Sequence, residues 1–200
     1  MPSADVRIGY EVTRLVSSGS KYSAVDDFAS RLEDLQQLVR AHQATSGTGR
    51  GKRVGVEAVN RAALVMLTGH FQGFVIDLFI EAWSSRFPGS NVQPILARFR
   101  LNNPWPSDID SLFSLVGKAK LTERAEWRPS ASKAGPGRTL TTPAFARSRS
   151  GHQVRQVVAE LVTIRNRSVH GARDVSVRMS DVTSYLTDCV TLSIRMANRV

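Results

Sequence analysis

The chain has 200 residues, enough to bury one core but short of the length at which a second is expected, so a single domain over 1–200 is the first reading. Twenty-seven Lys and Arg against 17 Asp and Glu give a net charge of +10, which places polyanions such as nucleic acid first among partner classes. One cysteine, Cys189, excludes an internal disulfide, and no Cys or His spacing suits structural zinc.

Residues 1–22 read as an N-terminal extension, and Met1-Pro2-Ser3-Ala4-Asp5 lacks the basic start and apolar run of a secretory signal, so the cytoplasm is expected. From 23 to about 44, Val25, Phe28, Leu32, Leu35 and Val39 recur at spacings of three and four, which predicts an amphipathic helix capped by Ser23. The run 46–53, with three glycines and no apolar residue, ends it in a basic loop; it lacks the Gly-Lys-Ser/Thr ending of a phosphate-binding loop.

A longer helix is predicted over 54–86, with Val56, Val59, Ala63, Leu67, Phe71, Phe74, Leu78 and Ala82 on one face and Phe87-Pro88-Gly89 as its stop. Its stretch 62–83 is apolar enough to suggest a membrane span, but His70, Gln72, Asp77 and Glu81 are costly groups in lipid, which favours a buried helix. Gly69 and Gly73, four apart, lower helix propensity and predict a close packing partner.

Asn102-Asn103-Pro104-Trp105-Pro106 reads as a turn, followed by a short helix capped by Ser107, carrying Ile109, Leu112, Phe113 and Val116 and closed by Gly117. Residues 128–151 are rich in Pro, Gly, Ser and Thr, with five positive charges and no negative one, and read as a long flexible basic loop. Two helices finish the chain. One runs over 152–169, with Val154, Val157, Val158, Leu161 and Val162 inward and Gly171 as terminator. The other starts at the cap Ser180, with Val182, Tyr185, Leu186, Cys189, Leu192 and Met196 as its stripe. The fold class expected is all-α, a bundle of about four to five core helices.

The stripe Val154, Val158, Leu161 leads next to Arg165, a guanidinium where an aliphatic residue is expected. A partly buried Arg needs an anionic partner, either a carboxylate, for which Asp77 and Glu81 are the expected candidates, or a phosphate. Asn166 and His170, four apart, share one side of the helix, while Arg165 and His170 are about 140° apart in regular geometry. Gly171 lets the chain turn there, and a protonated His is favoured at the negative end of the helix dipole. An Arg that neutralises a phosphate beside a His that moves protons suffices to cleave RNA through its own 2′-hydroxyl. Read alone, an Arg and a His near a helix end more often serve structure. His42, His70 and His152 have no spaced partner and read as ordinary histidines.

Arg165-Asn166-x-x-x-His170 resembles the Arg-polar-His motif of the HEPN family, in which a late helix of a small bundle carries the active site. The segments Asn60-Arg61-Ala62-Ala63-Leu64 and 70–79 are similar to the long helix of its RiboL-PSP-like subgroup, and 112–117 with Trp127 to its middle segment. Gln72 departs from the pattern, standing where the subgroup often carries an acidic residue, and Asp77 is the nearest replacement.

The resemblance implies a homodimer with the two motifs facing across the interface, and a metal-independent endoribonuclease without cofactor that cuts single-stranded RNA. Arg165 would stabilise the scissile phosphate, His170 transfer protons and Asn166 orient one of them. Such domains serve bacterial toxin and antiphage systems, which implies a cognate inhibitor protein. The alternative is a catalytically silent bundle that binds RNA or protein. Arg50, Lys52, Arg53, Lys133, Arg138, Arg147 and Arg149 are candidates to track the RNA backbone, or else simply solvated loop charges.

Overall fold

A helix as apolar as the one predicted from residue 54 onward is stable in water only when other helices cover it, and the fold is organised around that requirement. In the computed structural model, which describes residues 3–45, 55–99, 103–122, 154–170 and 176–200, the chain forms α1 (Ala4–Val16), α2 (Ser23–Thr45), α3 (Val56–Arg86), α4 (Gln93–Phe99), α5 (Pro106–Ser114), α6 (Val154–Val169) and α7 (Met179–Arg199). Among the described residues there is no strand, so the fold is all-helical. By length and hydropathy α3 could cross a membrane, yet here it is the central helix, in contact with α2, α5, α6 and α7.

α2 and α3 run antiparallel, and their contact is aromatic. Phe28 lies 5.4 Å from Phe74 and 6.4 Å from Phe71, centroid to centroid, and all three rings are fully buried. The predicted stripes of α2, α5 and α7 are buried throughout, whereas Val56 and Val59 at the start of α3 are only half-covered.

Within the segment read as an extension, residues 4–16 form α1, which is part of the bundle. α1 packs on α2 and α7 with Ile8 and Leu15 fully buried. Between them lies Glu11, a carboxylate on the inward face, which accepts hydrogen bonds from Arg14 (2.8 Å) and from the Thr187 hydroxyl (2.8 Å), while Arg14 also donates to Thr191. Burial of a charge is tolerable when it is paired in this way. With a carboxylate inside and Val6, Tyr10 and Val16 outside, the apolar period is scrambled, which explains why α1 is invisible to periodicity. α4, a seven-residue helix with no buried residue, is too short for a repeating stripe, and its Ile95, Leu96 and Phe99 pack half-covered against the core.

The helix starts also differ from the sequence reading. Ser23 opens α2, but the capping group is Glu81 of α3, whose carboxylate accepts from the Ser23 and Ala24 backbone N–H groups (3.0 and 2.7 Å) and the Ser23 hydroxyl (2.9 Å). A carboxylate there satisfies orphan donors and complements the helix dipole. α5 begins one residue before Ser107, with Pro106 in its first turn, where the missing N–H is harmless. At α7 the Asp181 carboxylate accepts the Arg178 N–H (3.0 Å), one residue on from Ser180. Gly117 does close α5's last turn, at φ +79°.

Of the two glycines on α3, only Gly73 has a close partner among the described residues. The Arg31 guanidinium lies over it, where a Cβ would collide, and pairs with Asp77 at 2.6 Å; Gly69 has open space beside it. His70, on the same helix, has a buried Nε2 with no hydrogen-bond partner among the described residues. Desolvation pushes its pKa down, Arg31 adds to this, and Asp34 opposes it.

Because the folded state binds the His70 proton less readily than the unfolded chain, its stabilising contribution is complete above the ordinary histidine value of about 6.5 and is lost as pH falls below it toward the folded value. Thermal melts between about pH 7.5 and 5.5 are expected to show a larger fall in Tm for wild type than for His70→Gln. Parallel curves for the two proteins would mean that His70 titrates as it does in the unfolded chain.

Candidate functional site

α6 presents Val157, Val158, Leu161, Val162 and Ile164 to the core, and the next turn carries the polar run from Arg165 to His170. Arg165 is half-buried, as expected for a guanidinium at the end of an apolar stripe. Its predicted carboxylate partners are elsewhere: Asp77 holds Arg31, and Glu81 caps α2. The reason is register. The antiparallel α2/α3 contact brings the C-terminal half of α3 alongside the first turns of α2, and both carboxylates are used there.

Arg165 is instead held by two neutral amides. One Nη1 donates to Asn166 Oδ1 at 2.8 Å and to Asn103 Oδ1 at 3.3 Å, and no carboxylate among the described residues pairs with it. Both amides face the guanidinium with their oxygens, as they must, since an arginine nitrogen can only donate. The positive charge of Arg165 is therefore partly desolvated and uncompensated within this set of residues.

Asn103 comes from the segment before α5, and its position is set by prolines. A residue that precedes proline is steered to extended backbone, and Pro104 and Pro106 are both buried. The Asn103 carbonyl accepts the Trp105 N–H at 2.9 Å, and the Trp105 carbonyl in turn accepts the first free N–H groups of α5, from Asp108 and Ile109, each at 3.0 Å. α5 is anchored on α3 by the edge-on contact of Phe113 with Phe79, at 5.6 Å, and touches α6. Asn103 is thus a loop residue on a firmly held frame.

His170 follows the last residue of α6 and keeps the helical course, its N–H donating to the Asn166 carbonyl at 3.0 Å. Asn166 therefore stands between the other two: its side chain engages Arg165, and one turn further along its side of the helix is His170, exposed, with exposed Val169 beside it. The Ser168 hydroxyl, between them in sequence, is buried with no hydrogen-bond partner among the described residues. Gly171, expected to turn the chain, lies outside the described residues. So do Arg50, Lys52, Arg53, Lys133, Arg138, Arg147 and Arg149.

The structure brings Arg165 and Asn166 into direct contact and places His170 at the exposed end of the same helix. It adds Asn103, which sequence reading treats only as part of a turn. Among the described residues no three His, Cys, Asp or Glu side chains gather where they could hold a metal ion. The arrangement supplies a cation with spare N–H donors, two amides and an accessible imidazole at the negative end of a helix dipole.

No family model matches the chain, and no match was found among curated proteins or solved structures.

Proposed function

We propose that the protein is a metal-independent endoribonuclease of the HEPN type, acting on single-stranded RNA as a homodimer. The observation that carries this reading is the half-buried Arg165 guanidinium, which is held only by neutral amides among the described residues and sits on the same helix end as an exposed His170. An arginine sealed by a carboxylate would be a structural ion pair; one oriented by amides keeps its charge for an incoming anion.

In the proposed reaction the 2′-oxygen of one nucleotide attacks the adjacent phosphorus, the P–O5′ bond breaks, and the products carry a 2′,3′-cyclic phosphate and a 5′-hydroxyl. Arg165 faces the charge that builds on the non-bridging oxygens. His170 serves proton transfer: two-fold pairing would supply one neutral imidazole to take the 2′ proton and one imidazolium to protonate the leaving 5′-oxygen. The net charge of +10 draws the polyanion. A toxin or antiphage setting with a cognate inhibitor, and a cytoplasmic location, belong to the same proposal.

The test is cleavage of a single-stranded RNA in excess EDTA. Cutting is expected to persist, because the arginine takes the role that other nucleases assign to a metal ion. A single 2′-deoxy substitution at the cut site is expected to abolish cutting there while binding remains, since it removes the nucleophile. Loss of activity in EDTA, or cleavage of the deoxy site, would replace this reading with a nuclease of another mechanism, and RNA binding with no cleavage under any condition would replace it with a bundle that binds RNA without cutting it.

A further inference from the structure

Asn103 and Asn166 reach Arg165 from different parts of the chain, 62 positions apart in the first case and adjacent in the second, and both spend their oxygens on the same Nη1. Each amide therefore turns its NH2 group away from the guanidinium. The rest of the guanidinium, Nη2 and Nε, makes no hydrogen bond or ion pair to the described residues. Two neutral groups orient the cation, leave its charge intact and contribute NH2 donors of their own.

We infer that Asn103 belongs to the site as its second amide arm, so that Arg165, Asn166 and Asn103 together form a phosphate-binding cradle in which Asn103 positions the guanidinium and directs an amide N–H toward a phosphodiester oxygen. This rests on reading Arg165 as the phosphate-binding group of the proposed ribonuclease. The chemistry explains why an amide is used. An aspartate at 103 would accept the same hydrogen bond, but it would cancel the arginine's charge, repel the phosphate and remove the NH2 donor. An alanine would free the guanidinium to swing and remove the NH2 donor, but would leave the arginine's charge intact. The proline-fixed backbone that follows Asn103, at Pro104 and Pro106, suits a residue whose function is to hold another group in one orientation.

The experiment compares wild type, Asn103→Asp, Asn103→Ala and Arg165→Ala as full-length chains. The probes are a short single-stranded 2′-O-methyl RNA for binding and the matching RNA for cleavage. Asn103→Asp is expected to lower cleavage by roughly a hundredfold or more and to flatten the salt dependence of binding by about one phosphate contact, with Tm unchanged or raised by the new ion pair. Asn103→Ala is expected to lower cleavage by about tenfold, chiefly in kcat, with a similar salt slope. If Asn103 merely braced the fold, Asn103→Asp would preserve its acceptor and behave as wild type.

If Asn103→Asp binds and cleaves like wild type while Arg165→Ala does not, the cradle is overturned and the ribonuclease reading stands. Should Asn103→Asp fail to fold, wild-type binding and kcat in Asn103→Ala would overturn the cradle in the same way. If wild type cleaves nothing yet binds the 2′-O-methyl RNA in a manner weakened by both Arg165→Ala and Asn103→Asp, the cradle stands and the ribonuclease reading falls. Binding unaffected by Arg165→Ala would remove both.

Discussion

Arg165→Ala is expected to reduce RNA cleavage by at least about a hundredfold, and His170→Ala by a comparable factor, without unfolding the protein. The two losses should differ in kind. Removing Arg165 takes away a charge that meets the phosphate in both ground and transition states, so it should raise KM, lower kcat and flatten the salt dependence of binding. Removing His170 takes away a proton carrier, so the loss should fall on kcat, with binding of an uncleavable 2′-O-methyl RNA little changed.

The fold should survive both changes for reasons visible in the bundle. His170 is exposed and lies beyond the last residue of α6. Arg165 is half-buried, but its partners are amides, so its removal leaves no unpaired carboxylate inside the protein. Circular dichroism and thermal melts of the variants would check this. Cleavage by His170→Ala at the wild-type rate would remove His170 from the chemistry.

How much of this was legible in the sequence depended on whether a residue's role is set by its own helix or by a neighbour's. The α2 stripe Val25, Phe28, Leu32, Leu35, Val39 could be read because each position repeats the same face, and all five are buried. Arg165 was legible as an anomaly for the same reason: it continues a stripe in which aliphatic residues precede it. Its partners were not. Asp77 and Glu81 looked suitable because they are acidic and lie on the helix expected to face the motif, but pairing is decided by register, and the register assigns them to Arg31 and to the start of α2.

Asn103 was hidden by distance along the chain, since nothing in a turn of Asn and Pro says which helix it will meet. The available signal was the Asn-Pro-Trp-Pro spacing itself, which marks a rigid segment and so a place where one side chain can be held still. Helix starts were legible to within one or two residues, but their capping chemistry was supplied by a distant Glu81, a first-turn proline and the following Asp181 rather than by the serines. α1 is not legible from periodicity because its buried face contains Glu11, which becomes compatible with a core only when Arg14 and Thr187 are brought to it.

The largest effect on stability is expected at Phe28. It is fully buried and faces both Phe71 and Phe74, which are themselves 6.2 Å apart, so one ring on α2 fills the space between two on α3. Truncation of a buried phenylalanine typically costs about 3–5 kcal/mol, the sum of lost transfer energy and the cavity left behind. A domain of this kind has a total stability of roughly 5–15 kcal/mol, so Phe28→Ala should consume a large part of it. Phe28→Leu, which keeps much of the volume, should be far milder.

Denaturant melts should show the midpoint falling steeply for Phe28→Ala with little change in slope, because the cavity alters stability rather than the surface exposed on unfolding. The activity of this variant should follow its folded fraction, recovering on cooling to the temperature at which it refolds. Arg165→Ala should do the reverse, folded at all those temperatures and inactive at each. A Phe28→Ala protein as stable as wild type would mean that α2 and α3 can close over the missing ring, and that their aromatic contact does not hold α3 in place beneath α6 as strongly as its geometry indicates.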